Sequence, residues 1–183
     1  MKKLLLHTCC APCVSYVFEL LKNNYEITCY FYNPNILPYS EYHKRLDELE
    51  NFCTLNGINL VIPENEVKKF YKKLSQLRHL GEKSGRCLLC YKMRLRSAAE
   101  YASANGFDVF GTVLSISPHK VSSWINEAGK ELEEQFGTEY LEADFKKNDG
   151  FKKSCELSLR YGFYRQNYCG CIYSKNERKK LLK

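Results

Sequence analysis

No stretch of this chain is apolar enough for long enough to span a membrane. The start, Met1 to His7, is basic and then apolar, but only three leucines precede polar residues, too few for a secretory leader. A reducing, cytoplasmic setting is therefore expected, where clustered thiols serve metal or catalytic chemistry rather than structural disulfides. No linker, internal repeat or low-complexity segment is visible, so residues 1–183 are expected to form one catalytic domain. The Gly-rich phosphate cradle of nucleotide-dependent transferases is also missing, because the first loop is rich in cysteine instead. The compact cysteine run of bacterial ferredoxins is missing too.

What is present is thiol. Seven of the ten cysteines fall into three tight groups: Cys9-Cys10-x-x-Cys13, Cys87-x-x-Cys90 and Cys169-x-Cys171. Two cysteines at such spacing can turn both sulfurs toward one ion or cluster, which core cysteines have no reason to do. The isolated Cys29, Cys53 and Cys155 read as ordinary core or surface residues. The net charge is +7, with Lys and Arg dense at residues 68–73, 86–96, 146–153 and 178–183. Such a surface suits a polyanion, although solvated helix faces account for the charge equally well.

Short β-rich apolar runs alternate with helical periodicity along the whole length. That pattern predicts an α/β fold: a single domain, Rossmann-like in three layers, with a mainly parallel five-stranded sheet and helices on both faces. Strands are expected at Leu4–Thr8, Tyr25–Tyr32, Ile58–Ile62, Phe107–Leu114 and Glu139–Ala143. A helix through Val14, Val17, Phe18 and Leu21 follows the first strand; Ser40 is placed to cap the next, which Gly57 should end. Further helices are expected at Val67 to about Leu80, about Leu88 to Asn105, Lys120–Phe136 and Phe151–Tyr161, with another in the tail. One sequence does not give the strand order, although right-handed crossovers limit it.

In such sheets ligands collect where strands end. Cys9 and Cys10 follow the first strand, Asn33 and Asn35 the second, Ser115 to Lys120 the fourth and Asp144 the fifth. Successive residues leaving a strand point in opposite directions, so Cys9 and Cys10 are expected to serve different centres. Cys13, in the first turn of a helix, is where backbone N–H groups and the helix dipole favour thiolate. Four thiolates satisfy one zinc or one [4Fe-4S] cluster, and seven exceed either. Spacing alone leaves iron–sulfur, zinc and metal-free thiol redox chemistry open.

Taken in order, His7-Thr-Cys-Cys-Ala-Pro-Cys13, Gly85-Arg-Cys-Leu-Leu-Cys-Tyr-Lys-Met-Arg-Leu95, Ser117-Pro-His-Lys120, Asp144-Phe-Lys-Lys147 and Tyr164-Arg-Gln-Asn-Tyr-Cys-Gly-Cys171 resemble the QueH-type, cobalamin-independent epoxyqueuosine reductases. The resemblance runs through essentially the whole chain. It implies an oxidoreductase of tRNA processing that removes the epoxide oxygen of epoxyqueuosine at the wobble position, the last step of queuosine biosynthesis. The partners expected are tRNA carrying epoxyqueuosine and an electron donor that the sequence does not identify. The cofactors expected are a [4Fe-4S] cluster and an adjacent mononuclear iron, which zinc can replace in vitro, with Cys9, Cys10, Cys13, Cys87, Cys90, Cys169 and Cys171 as candidate ligands. Asp144 is a candidate carboxylate ligand or proton donor, and His119 and Lys120 are candidates to donate a proton or hold the tRNA. Asn33, Ser117, Tyr164, Arg165 and Tyr168 are candidate substrate contacts, the aromatic and guanidinium planes being able to stack on a flipped-out base. His7 is expected to support the metal loop by hydrogen bonds rather than as a ligand. The competing reading is a zinc-binding, tRNA-binding protein without redox activity.

Overall fold

A computed structural model describes residues 1–181 of the chain; Leu182 and Lys183, the end of the basic tail, lie outside the described residues. Five strands pair in parallel: β1 (Lys2–His7), β2 (Tyr25–Tyr30), β3 (Asn59–Val61), β4 (Val109–Thr112) and β5 (Glu139–Tyr140). Their order is β3-β2-β1-β4-β5, so the chain moves outward from β1 to one edge and then returns to build the other half. β1 therefore lies at the centre, and Leu4, Leu5 and Leu6 are all fully buried. A strand covered on both faces reads as a continuous apolar run, which is why this one shows no alternation.

Among the described residues, seven α-helices accompany the sheet. They are α1 (Ala11–Leu21), α2 (Tyr39–Asn56), α3 (Val67–Leu74), α4 (Gly85–Ala104), α5 (Ser122–Phe136), α6 (Gly150–Tyr161) and α7 (Ile172–Leu181). α1 packs with α2 and α6, while α4 packs with α3 and α5. Right-handed crossovers on the two sides of a reversing strand order put these layers on opposite faces, giving the expected three-layer fold.

The differences from the sequence expectation have local causes. The fourth strand stops at Thr112 because its hydroxyl accepts from the Leu114 N–H at 3.1 Å and turns Val113–Ile116 into a 3₁₀ helix. With β4 ended, β5 loses its partner after the Leu141 N–H reaches the Phe110 carbonyl at 2.8 Å, so it is shorter than the predicted Glu139–Ala143. α3 gives way to 3₁₀ geometry at Ser75–Leu77, where the Ser75 hydroxyl donates to the Lys72 carbonyl at 2.7 Å and competes with the helix. α4 starts a turn earlier than expected, because the Ser84 hydroxyl caps it by accepting from the Arg86 N–H. α2 starts at Tyr39 with Pro38 at its N-cap, which leaves Ser40 inside the first turn rather than capping it. Gly57 ends that helix as expected, with φ of 64°. α5 begins at Ser122 and leaves Lys120 in the preceding loop.

Close packing makes one glycine essential to the α5–β5 contact. A Cβ on Gly129 would lie 2.3 Å from the Tyr140 ring, and that ring is 4% exposed and tethered through its hydroxyl to Asn126 at 3.1 Å. Gly129→Ala is expected to lower stability by about 1–3 kcal/mol in urea unfolding; a wild-type midpoint would show that the ring has room to move.

Candidate metal centre

β1 ends at His7, and the chain turns at once into α1 with Cys10 as its N-cap and Pro12 in the first turn. Because pairing stops here, the strand alternation does not continue into Cys9 and Cys10. Their sulfurs lie 3.8 Å apart, so the two side chains do not point oppositely as expected. The ligand atoms of Cys9, Cys10 and Cys13 all lie within 4.8 Å of one another, the only such group of three or more among the described residues. A tetrahedral ion with metal–sulfur bonds of about 2.3 Å has sulfur–sulfur edges of about 3.8 Å, so this triad has single-ion spacing.

Within the triad, the neighbouring sulfurs of Cys10 and then Cys13 hold the Cys9 thiol well below the ordinary cysteine value. The Cys13 sulfur opposes the rise of Cys10, but the Cys9 sulfur and burial outweigh it and push Cys10 up to about 12. Cys13 itself is driven up by bonding to Cys10 and Cys9 and by burial. The direction is thus down at Cys9 and up at Cys13, so burial and the neighbouring sulfurs oppose the helix-start effect expected to favour thiolate at Cys13.

Cys87 and Cys90 occupy the opening turns of α4, and Cys169 and Cys171 flank Gly170 just before α7. A cavity of about 300 Å³ opens between these segments, and Cys9, Cys13, Cys87, Cys169 and Cys171 line it. Behind its wall, burial pushes Cys90 up to about 12 against the pull of Arg94. Cys10 is covered by Gln166, whose Nε2 donates to its sulfur at 3.2 Å. All ten cysteines are free thiols, and Cys29 and Cys53 are buried. The cavity sits at the carboxyl ends of β1 and β4, the point where the strand order reverses.

Positive charge is buried around the thiols. Arg94, 1% exposed, donates to the Asn33 side-chain oxygen, and the Asn33 amide donates to the Thr8 carbonyl at 2.8 Å. Arg86 pairs with Glu177 at 2.9 Å and donates to the Leu80 carbonyl, tying α4 to α7. Lys120 faces the cavity; burial opposes its charge, but the sulfurs of Cys169, Cys9 and Cys13 prevail and raise its pKa.

The other sequence candidates divide into two sets. Ser117, His119, Arg165 and Tyr168 line the cavity with Lys120. Arg165 lies over the Phe151 ring at 5.4 Å, and the Tyr168 hydroxyl donates to the Leu37 carbonyl at 2.7 Å. Asn33, Tyr164 and Asp144 do not line it. Asn33 is fully buried with both ends of its amide engaged, so it braces the Cys loop instead of meeting a substrate. The Tyr164 hydroxyl donates to Glu41 at 3.1 Å, and Lys44 lies 3.5 Å from the centre of its ring. Asp144 accepts from the Ser122 hydroxyl at 3.0 Å and pairs with Lys146 at 3.2 Å, because β5 is the edge strand and its end lies off the switch point. Gln166 and Arg45, both cavity-lining, were missed. Arg45 had a sequence signal, being a cation on the apolar stripe of Tyr42, Leu46, Leu49 and Phe52.

A predicted subunit of a tRNA methyltransferase from Methanocaldococcus jannaschii shares the fold, with a TM-score of 0.61 over 87% of this chain and 75% of that one at 13% identity. The family model described as "Epoxyqueuosine reductase QueH" matches residues 4–177. The chain belongs to the QueH family. Curated QueH relatives include those of Thermotoga maritima, 36% identical over 98% of this chain and 93% of that one, and Staphylococcus epidermidis, 39% identical over 94% and 76%. The relative from Streptococcus pyogenes is 38% identical over 93% of this chain and 69% of its own length. All seven clustered cysteines fall inside the segment matched to QueH.

His7 supplies the support expected of it. Its Nε2 donates to the Tyr32 carbonyl at 3.1 Å, so Nδ1 accepts from the Thr112 hydroxyl at 2.9 Å. Burial, followed by the Arg94 charge, lowers its pKa from 6.5 to about 3. A depressed histidine contributes stability that is full above pH 6.5 and is lost as pH falls toward 3. Urea unfolding should lose about 2 kcal/mol between pH 7 and pH 5 from this group, and His7→Gln should flatten that slope; equal slopes in the two proteins would refute the assignment.

Proposed function

We propose that the chain is an epoxyqueuosine reductase: an oxidoreductase that takes tRNA carrying epoxyqueuosine and removes the epoxide oxygen in the last step of queuosine biosynthesis. The observation that carries this reading is the convergence of three cysteine groups on one cavity at the switch point of the sheet. An all-thiol donor set suits iron–sulfur chemistry, and a close triad beside four further thiols suits two centres. Cys9, Cys10 and Cys13 would hold a single iron, which zinc can replace, while Cys87, Cys90, Cys169 and Cys171 would hold a [4Fe-4S] cluster. When bound, these groups supply electrons from an external donor and a Lewis acid for the epoxide oxygen.

The chain's own residues do the rest. Two electrons and two protons turn the epoxide into an alkene and water, and Lys120 keeps an ammonium proton at Nζ inside the cavity for that purpose. Tyr168 and the Arg165–Phe151 pair offer planar surfaces on which an extruded base can stack, and Ser117 and His119 supply polar contacts beside it. Arg86, Arg94 and Arg45 hold positive charge beside the thiolates throughout. Among the described residues no helix is long and apolar enough to cross a membrane.

Anaerobic incubation of iron- and sulfide-reconstituted protein with epoxyqueuosine-containing tRNA and a strong reductant should yield a nucleoside lighter by one oxygen. Colourless protein that binds tRNA and zinc but leaves the epoxide intact would favour the non-redox reading. Cys87→Ser or Cys169→Ser should abolish the broad visible absorbance. Cys9→Ser or Cys13→Ser should keep it while losing one iron per chain, and the reverse pattern would overturn the ligand division. Lys120→Met should slow turnover by about 10²–10⁴-fold at unchanged iron content.

A further inference from the structure

Arg45 is 1% exposed and belongs to α2, an element that supplies no cysteine to the centre. A guanidinium does not give up its proton inside a protein, so a buried one must be fully used. This one is. Its Nε donates to Glu41 Oε1 at 2.7 Å, Nη1 to the Cys169 carbonyl at 3.2 Å and Nη2 to the Tyr168 carbonyl at 3.2 Å. Two donors of one rigid fork on successive carbonyls fix the planes of the peptides on both sides of Cys169.

The loop is shaped to accept that fork. Gly170 takes φ of 118°, and a Cβ there would lie 3.0 Å from Ile36 and 3.1 Å from Arg45 Nη1. Its carbonyl accepts from the Leu37 N–H at 2.9 Å, which closes the loop onto the segment leading into α2. The guanidinium lies 5.6 Å from the centre of the Tyr168 ring, lines the cavity, and is within electrostatic reach of Cys10 and Cys9. Glu41 divides itself between Arg45 and the Tyr164 hydroxyl, so it only partly offsets the cation.

We infer that Arg45 is a positioning residue for the metal centre: its fork orients the Cys169–Gly170–Cys171 loop, and its fixed charge, moderated by Glu41, favours the reduced state. The inference rests on the reading that the cysteines hold a redox-active metal. Reduction adds negative charge to an already anionic thiolate site, and a permanent buried cation favours that addition.

Wild type, Arg45→Met, Arg45→Lys and Glu41→Gln, each reconstituted anaerobically with iron and sulfide, are compared by redox titration with visible absorbance and electron paramagnetic resonance. Arg45→Met should shift the midpoint to more negative potential, and Glu41→Gln should shift it to more positive potential. Arg45→Lys should stay near the wild-type midpoint but show an altered resonance line shape, because it keeps the charge and loses the fork. General loosening of the fold does not produce shifts of opposite sign. Midpoints and spectra equal to wild type in Arg45→Met and Glu41→Gln would overturn the inference. Where Arg45→Met fails to fold, a Glu41→Gln midpoint at or below wild type overturns it equally. A wild-type protein with no reducible centre would overturn both this inference and the functional reading beneath it, whereas a reducible wild type with unshifted variants removes Arg45 alone.

Discussion

Thiolates can sit in a cavity shielded from water only if positive charge is buried with them, and much of this molecule is arranged around that requirement. Arg45, Arg86 and Arg94 reach the site from two different helices, and Lys120 enters from the loop before α5. Each arginine is also a crosslink. Arg94 acts through Asn33 on the carbonyl of Thr8, beside the first cysteine, while Arg86 reaches Glu177 in α7. The same cations that offset the thiols thus hold together the segments that carry them.

The sheet explains why segments so far apart in sequence meet. β1 pairs with β2 on one side and β4 on the other, and the loops leaving β1 and β4 diverge to opposite faces. Cys9 to Cys13 lie on one side of the resulting crevice and Ser117 to Lys120 on the other. α4 and the loop before α7 then close it with the remaining four thiols.

Much of this was legible in the sequence, for a physical reason in each case. The buried leucines of β1, the three-to-four spacing along α1 and the glycine after α2 all report the local backbone, and each reading held. Cysteine spacing pointed to a shared centre because ligands must converge, and the ligand atoms of Cys9, Cys10 and Cys13 do lie within 4.8 Å of one another. Side-chain direction after a strand end was not legible, which is why Cys9 and Cys10 were expected to point apart although their sulfurs lie 3.8 Å from each other. The fate of Asp144 depended on strand order, since a residue after an edge strand follows the same sequence rule as one after a central strand. Arg45 was hidden by the opposite effect: its partners are backbone carbonyls more than a hundred positions away, and carbonyls leave no mark in a sequence.

The sheet's borders carry a consequence of their own. β3 has three residues and β5 two, so either edge exposes only a few unpaired backbone donors and acceptors. A neighbouring chain gains little by adding a strand there. In a chain with ten free cysteines, edges this short leave association through β-pairing little to build on.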